Sequence, residues 1–212
     1  MSTYTIPYVV QQTPRGERTV DLYSRLLSDR IIYLGTEIDD GVANAVIAQL
    51  LHLASEAPST PISLYINSPG GSITAMLAIY DAMQFVPSPV ETTCVGQAAW
   101  TAAVLLAGGE AGRRQMLPHA RVLLHQGSAG IGGSAVDIEI QADDLRHTRD
   151  TVLGLIAEHT GQDRETVERD SRRDRWFSAE DALAYGFVDQ VISSVDHVTP
   201  ARSRAVGLAG AR

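Results

Sequence analysis

Short apolar runs of strand length alternate with segments of helical periodicity through most of this chain, and this order constrains the fold more than any single motif does. A strand, a helix and a second strand are almost always joined by a right-handed crossover, which makes the two strands parallel. The repeated alternation therefore predicts an α/β protein whose largely parallel sheet is covered by helices. With 212 residues, of which 44% are hydrophobic, the chain is long enough to bury a core and has the size of one compact domain.

Capping residues and glycine turns set the boundaries of the predicted elements. Asp39, Ser72 and Ser178 favour helix starts, because their side-chain oxygens accept the free N–H groups of a first turn, and Gly161 favours a helix end. The predicted strands are Arg30–Gly35, Ile62–Asn67, Val90–Val95, Arg114–Leu117, Arg121–Gln126 and Phe187–Ile192. The predicted helices are Thr19–Ser28, those begun by the three capping residues, Ala98–Ala107 and one long helix from about Ser134 to His159.

Composition excludes several classes of function. The chain has 17 Lys and Arg against 25 Asp and Glu, a net charge of −8, which argues against nucleic acid as a partner because phosphate binding needs a basic surface. No apolar run is long enough to cross a membrane, and Met1–Gln12 has no export signal, so we expect a cytoplasmic protein. The lone Cys94 is interpreted as a buried structural thiol. The six histidines lack the paired spacing of zinc sites, so we expect no metal and no cofactor.

One segment indicates chemistry. Cys94 to Trp100 runs from an apolar strand through a predicted glycine turn at Gly96 into an Ala-rich helix. Such strand-turn-helix elbows hold a serine hydroxyl beside a helix N-terminus, whose free N–H groups stabilise an oxyanion. Here the residue at the elbow is Trp100, whose indole offers only an N–H donor.

Four stretches in this order and spacing resemble the ClpP family of Clp protease proteolytic subunits. They are Gln12–Arg18, Tyr65–Ser72 with its Ser-Pro-Gly-Gly turn, Gly96–Ala99, and Leu117–His119 through His125-Gln126. His159–Gln162 and Arg173–Arg175 extend the likeness, which covers Ile6 to about Ile192. The resemblance implies the ClpP/crotonase superhelix of strand-strand-helix units with a protruding handle helix.

The same resemblance divides the chain and implies how it assembles. Residues 1–18 are expected to form an N-terminal axial segment, 19–195 the ClpP-like domain with its handle region at about 127–161, and 196–212 a disordered tail. Family members form seven-membered rings that stack in pairs as a tetradecamer around a closed chamber for polypeptide substrates. The implied partners are further copies of this chain or an active ClpP paralogue, and an AAA+ unfoldase of the ClpX, ClpC or ClpA type.

The family's site residues map onto this sequence one by one. The nucleophile falls on Trp100, the base on His125 and the aspartate that orients the base on Asp174. The N–H groups of the oxyanion hole fall on Gly71 and Thr101. The resemblance places the unfoldase-docking pocket at Tyr65, Phe85, Val95, Leu117 and Ile192.

Several positions depart from the family pattern. Around the site, Trp100-Thr101-Ala102 replaces Ser-Met-Gly, Met76 replaces a glycine, and Gly127 replaces the proline that follows His-Gln. In the docking pocket, Ser63, Thr93 and Gln115 replace apolar walls, so we expect weaker docking or a different unfoldase.

Three readings remain open. The first is a catalytically inactive ClpP-like subunit with a structural or regulatory role in rings. The second is an active serine-type endopeptidase that uses another nucleophile. In that reading Thr101 is a poor substitute, because a shift of one residue along a helix turns the side chain by about 100°. The third is a crotonase-type acyl-CoA enzyme on the same superhelix, which the protease-like contexts of His125 and Asp174 disfavour.

Overall fold

The computed structural model describes residues 6–13, 16–127, 130 and 132–194. Several predictions fall on residues outside this part of the chain. They are the tail at 196–212, the first five residues of the axial segment, Pro14 and Arg15 of the N-terminal motif, and part of the glycine-rich stretch before the handle. These stay predictions.

The described residues form a hairpin and a seven-stranded sheet. In the hairpin, β1 (Tyr8–Thr13) pairs antiparallel with β2 (Gly16–Asp21). The sheet has the order β3-β4-β5-β6-β9, with β7 beside the second half of β5 and β8 beside β7. Its strands are β3 (Ile31–Leu34), β4 (Ile62–Ser68), β5 (Val90–Ala99), β6 (Arg114–Met116), β7 (Arg121–Leu124), β8 (Arg175–Phe177) and β9 (Gln190–Val191). All its pairs are parallel except β7–β8, which confirms the predicted α/β class.

Seven helices lie in the described residues, and the three predicted caps begin three of them. They are α1 (Leu22–Ser28), α2 (Asp40–Glu56), α3 (Ile73–Phe85), α4 (Thr101–Ala107), α5 (Ala135–Thr160), α6 (Arg164–Ser171) and α7 (Ala179–Tyr185). The side chains of Asp39, Ser72, Ser134 and Ser178 each accept the N–H group three residues on. Gly161, in the left-handed conformation, ends α5 as expected.

The N-terminal region differs from the prediction. The helix expected at Thr19–Ser28 begins at Leu22, because Thr19–Asp21 belong to β2 and the Asp21 side chain accepts the Ser24 N–H at 2.9 Å. The polar segment before it forms the β1–β2 hairpin. The alternation Thr19, Val20, Asp21 is short, and it fits the edge of a hairpin as well as a first helical turn.

The glycine turn predicted at Gly96 is wrong. β5 continues through Gly96 to Ala99, and α4 begins at Thr101 instead of Ala98. Gly96 is needed because the Asn67 side chain lies against it: a Cβ at residue 96 would be 2.4 Å from Asn67 Oδ1. The same oxygen accepts the Gln97 N–H at 3.2 Å. The turn into α4 therefore occurs at Trp100 itself.

α6 and β8 were not predicted from the sequence. Both are short, and they lie in the charged run that precedes and follows Asp174. α6 carries Val167 and Ser171 as its buried residues, too few to produce a clear apolar period.

The core lies between the sheet and the helices on one of its faces. Along β4, Ile62, Leu64 and Ile66 are fully buried, whereas Ser63 and Tyr65 point to the other, half-exposed face. α4 is buried along its whole length. α5 is different: its residues 135–140 are all exposed, whereas Val152, Leu153 and Ile156 are buried. The first half of α5 thus projects from the domain, as the resemblance implies for a handle.

We found no helix among the described residues that is long and apolar enough to span a bilayer. In the same residues, no group of three or more His, Cys, Asp or Glu side chains is placed to hold a metal ion.

Candidate active site

Trp100 stands at the junction between β5 and α4 in a conformation that bulky residues rarely adopt. Its backbone has φ 52° and ψ −109°. Its N–H donates to the Leu123 carbonyl at 2.8 Å, and its carbonyl accepts from the Ala103 N–H at 3.0 Å. A positive φ at a large side chain costs on the order of 1–3 kcal/mol and persists only where the surroundings impose it. A strained strand-to-helix turn of this kind is the elbow on which α/β-hydrolases present their nucleophile.

His125 lies directly against the elbow. It follows β7, is half-buried, and stacks on the indole of Trp100 with ring centroids 4.9 Å apart and an interplanar angle of 30°. Its Nδ1 is 2.8 Å from the Gln126 carbonyl oxygen, a hydrogen bond in which the imidazole is the donor. The two residues that the family pattern assigns to nucleophile and base are therefore in contact, although neither ring can attack as a serine does.

Asp174 lies near His125 without orienting it. The two residues line one cleft of ≈ 520 Å³, together with Gln126, Ser171, Arg172 and Arg173. Asp174 is exposed, and among the described residues it makes no hydrogen bond or ion pair. The Nδ1 atom that an orienting aspartate would engage is instead bonded to Gln126. The sequence predicts that His125 and Asp174 lie together, and both line this cleft, but it carries no signal for the backbone contact of His125.

Two backbone N–H groups lie beside the elbow. Gly71 forms a parallel bridge with Ile38 through the Gly70 carbonyl and the Ser72 N–H, which leaves the Gly71 N–H outside that pairing. Thr101 is the first residue of α4, so its N–H has no partner within the helix.

Glycine is required in this turn. Gly70 and Gly71 have φ of 90° and 154°, and a Cβ at Gly71 would lie 2.2 Å from the Ile38 carbonyl oxygen. The turn predicted at Ser68–Gly71 thus lies against the start of α4, where the resemblance places the oxyanion hole.

Other nucleophiles near the elbow are poorly placed. Thr101 is fully buried, and its hydroxyl is a side-chain oxygen without a hydrogen-bond partner in the described structure. Cys94 is also fully buried, and this burial raises the pKa of its thiol to about 11, so it is protonated at neutral pH.

The indole also separates two hollows. Trp100, Gly71 and Gly127 line both a small cavity of ≈ 400 Å³ that includes His125 and a larger groove of ≈ 920 Å³. The far wall of that groove is α5, from Ile140 to Arg149. Gly127 makes room for the ring, because a Cβ there would be 2.9 Å from Trp100 Cζ2. Gly127 departs from the family pattern in the sequence, but the sequence carries no sign that it faces the indole.

Some of the residues expected to form the docking pocket lie on one face of the sheet. Tyr65, Thr93, Gln115 and Gln190 are in register across β4, β5, β6 and β9. Two residues further along, Val95, Leu117 and Ile192 continue the same face by strand alternation. Phe85 is the last residue of α3 and is 80% exposed. The polar row of Thr93, Gln115 and Gln190 therefore lies beside the apolar one on this face.

An elbow, a histidine against it and free backbone N–H groups beside it define a protein with the site layout of a serine hydrolase. Comparison with known proteins names the group more closely: residues 14–195 match the family model described as Clp protease. The chain belongs to the Clp protease family.

Three relatives illustrate the likeness. The chain is 57% identical over 194 residues to ATP-dependent Clp protease proteolytic subunit 2 of Streptomyces avermitilis, an alignment that covers 91% of this chain and 97% of the relative. It is 53% identical to proteolytic subunit 4 of Rhodococcus jostii, over 92% of this chain and all of the relative. It is 56% identical to proteolytic subunit 1 of Nocardia farcinica, over 91% of this chain and 98% of the relative.

Proposed function

We propose that this chain is a non-catalytic ClpP-type subunit that takes a structural or regulatory place in the rings of a Clp protease complex. The observation that carries the proposal is the indole of Trp100, which occupies the elbow and stacks on His125. A serine protease that loses its nucleophile loses about six orders of magnitude in turnover. Polypeptides remain the substrates of the complex, but this subunit does not cleave them.

Two further observations support inactivity. His125 Nδ1 is engaged by the Gln126 carbonyl, so the base is uncoupled from Asp174 as well as deprived of a nucleophile. The alternative nucleophiles, Thr101 and Cys94, are both fully buried. An active endopeptidase with another nucleophile, the second reading of the sequence, has no accessible group of this kind beside His125 in the described residues.

The proposed assembly follows from the family. We place this chain in seven-membered rings that stack in pairs, either with its own copies or with an active paralogue, in the cytoplasm. The similar proteins are named as proteolytic subunits 1, 2 and 4, which supports a complex with several kinds of subunit. An AAA+ unfoldase is the proposed partner, and the polar side chains of Gln115 and Gln190 on this face support weakened docking.

A peptidase assay tests inactivity. The purified chain should not cleave fluorogenic peptides or unfolded proteins, alone or with an unfoldase. Any background hydrolysis rate should be the same in His125→Ala. Turnover that His125→Ala abolishes would show that the site is active and that another nucleophile serves it.

A further inference from the structure

The described part of the chain stops beside the sheet face on which the resemblance places unfoldase docking. Ile192 belongs to this face, and its N–H donates to the Met116 carbonyl at 3.0 Å. The structure describes the chain only two residues further, to Ser194. We call residues 195–212, which follow, the tail. Because Ile192 directly follows β9, an edge strand of the described sheet, the tail starts at the rim of this face.

The face itself offers apolar and aromatic side chains that are only partly covered within the described residues. Tyr33 and Tyr65 are in register on β3 and β4, where Tyr33 is 38% exposed and Tyr65 is half-buried. Val95 on β5 and Leu117 just after β6 are half-buried as well. We call Tyr33, Tyr65, Val95 and Leu117 the open face. An apolar surface of this kind marks a place where another segment binds.

The sequence of the tail has the composition of a binding segment. Beyond Pro200 it contains three arginines, no acid, and two aliphatic side chains, Val206 and Leu208, among alanines, glycines and one serine. So few apolar residues cannot form a core of their own, but they can cover an apolar surface elsewhere. The whole chain has a net charge of −8, so the basic end of the tail is opposite in charge to the rest of the chain, which favours contact between them.

The tail is also long enough to return over the open face. Val206 follows Ile192 by 14 residues, which span up to about 46–50 Å when extended. From β9 to β3 the sheet is four strand spacings wide, which is roughly 20 Å. A tail that turns back at the rim therefore reaches every strand that carries the open face.

We propose that Val206 and Leu208 of the tail dock on the open face of the same chain and thereby compete with an unfoldase for it. A flexible tether holds its end at an effective concentration in the millimolar range. A segment that binds with a Kd of only about 0.1 mM would then cover the face about nine-tenths of the time. The competition with an unfoldase rests on the proposed function, whereas the contact within the chain does not.

A peptide-binding experiment tests the contact on the full chain. The probe is a synthetic peptide with the sequence of residues 201–212 and a fluorophore at its N-terminus, and its binding is measured by fluorescence anisotropy. The wild-type chain should bind the probe weakly, because its own tail occupies the open face. Full-length Val206→Asp/Leu208→Asp should bind it about tenfold more tightly, because its tail no longer competes. Ala201→Asp/Ser203→Asp adds the same charge to the tail but keeps both aliphatic side chains, and should bind like the wild type.

A third substitution locates the contact. Tyr65→Ser, added to Val206→Asp/Leu208→Asp, should remove the tenfold gain, and a gain that persists would place the contact elsewhere and overturn the proposal. A probe that binds the wild type and Val206→Asp/Leu208→Asp equally, or binds neither, also contradicts it.

Native mass spectrometry of the same samples separates this proposal from the proposed function. If rings form while the probe fails to distinguish the variants, the tail contact is wrong and the ring subunit stands. If the probe distinguishes them while the chain forms no ring, alone or with any ClpP paralogue offered, the tail contact stands and the ring subunit is wrong.

Discussion

At the scale of single residues, Trp100 and Gly127 are a matched pair. The indole covers Gly127 so closely that a Cβ there would lie 2.9 Å from Cζ2 and 3.3 Å from Nε1. A proline at 127 and a tryptophan at 100 therefore exclude each other without movement of the ring. Overpacking of this kind costs about 1–3 kcal/mol where neighbours do not adapt. The absence of a side chain at residue 127 makes room for the indole at the elbow.

This pairing predicts how activity returns. In Trp100→Ser the indole is gone and residue 127 has no side chain, so nothing packs against the segment after His125. We therefore expect the new serine to be misplaced, and a nucleophile misplaced by about 1 Å loses about a hundredfold in rate. Trp100→Ser/Gly127→Pro should react with a covalent serine probe at least about tenfold faster than Trp100→Ser does. Trp100→Ala is the control and should not react. Equal labelling rates for the single and double variants would show that residue 127 is neutral.

Most residues of the candidate site can be predicted from the sequence, because the motifs specify residue types in a fixed order along the chain. The motifs predict that the elbow, His125 and the Gly70-Gly71 turn lie near one another, and in the structure they line one cavity. The sequence does not predict the hydrogen bond from His125 to the Gln126 carbonyl, because a backbone acceptor carries no side-chain signature. The helix start was misplaced at Ala98 because Gly96 was interpreted as a turn, whereas a distant side chain, Asn67, explains that glycine.

At the scale of elements, one arginine fastens the end of α2. Arg30, whose own φ is 63°, donates to the carbonyls of Leu53, Pro61 and Thr60 at 2.9, 3.0 and 2.8 Å. The planar guanidinium fork reaches all three at once, which a lysine ammonium on its flexible stem cannot do. The sequence contained no signal for this role, since Arg30 was interpreted as the first residue of a strand.

We therefore expect Arg30→Lys to lower the free energy of unfolding by about 2–3 kcal/mol, because half-buried carbonyls lose charged donors. Urea denaturation measures the change. Arg25→Lys is the matched control: Arg25 forms an i,i+4 pair with Asp29 at the surface, where such pairs contribute about 0.3–0.5 kcal/mol. A loss no larger in Arg30→Lys than in Arg25→Lys would mean that water replaces the fork.

A second fastening joins four elements and depends on pH. Arg114 grips Asp189 with two hydrogen bonds of 2.9 and 2.6 Å, and its Nη1 donates to the His159 carbonyl at 2.7 Å and to that of Ala107. Burial by itself would raise the pKa of Asp189, but the hydrogen bonds and charge of Arg114 outweigh it and lower that pKa. β6, β9, α4 and α5 meet at this pair.

Because the folded-state pKa of Asp189 is below its unfolded value, the stability it contributes is present above about pH 4 and is lost as the pH falls through the folded pKa. Asp189→Asn should lower the melting temperature at pH 7, and the difference from wild type should shrink on acidification below about pH 4. Thermal melts across this range measure both effects. A difference that stays constant down to the lowest pH would show that the charge of Asp189 is not what stabilises the junction.

At the scale of the whole molecule, the structure combines the fold expected for the family with an indole at the elbow. The parallel sheet and the projecting α5 have the arrangement expected from the resemblance, and Trp100 stands at the elbow where the family pattern assigns the nucleophile. The projecting half of α5 carries exposed apolar side chains, among them Val136 and Ile140. Exposed apolar side chains of this kind mark interfaces, so we expect another subunit to cover Val136 and Ile140.

One measurement on purified complexes tests whether this chain sits in Clp rings and whether it lacks a reactive nucleophile. Complexes purified from the native host through a tag on this chain are treated with a covalent serine probe and weighed by native mass spectrometry. We expect seven- or fourteen-membered assemblies in which the number of adducts never exceeds the number of paralogue subunits, and in which this chain carries none. A probe adduct on this chain that His125→Ala abolishes would show that this subunit is catalytically active.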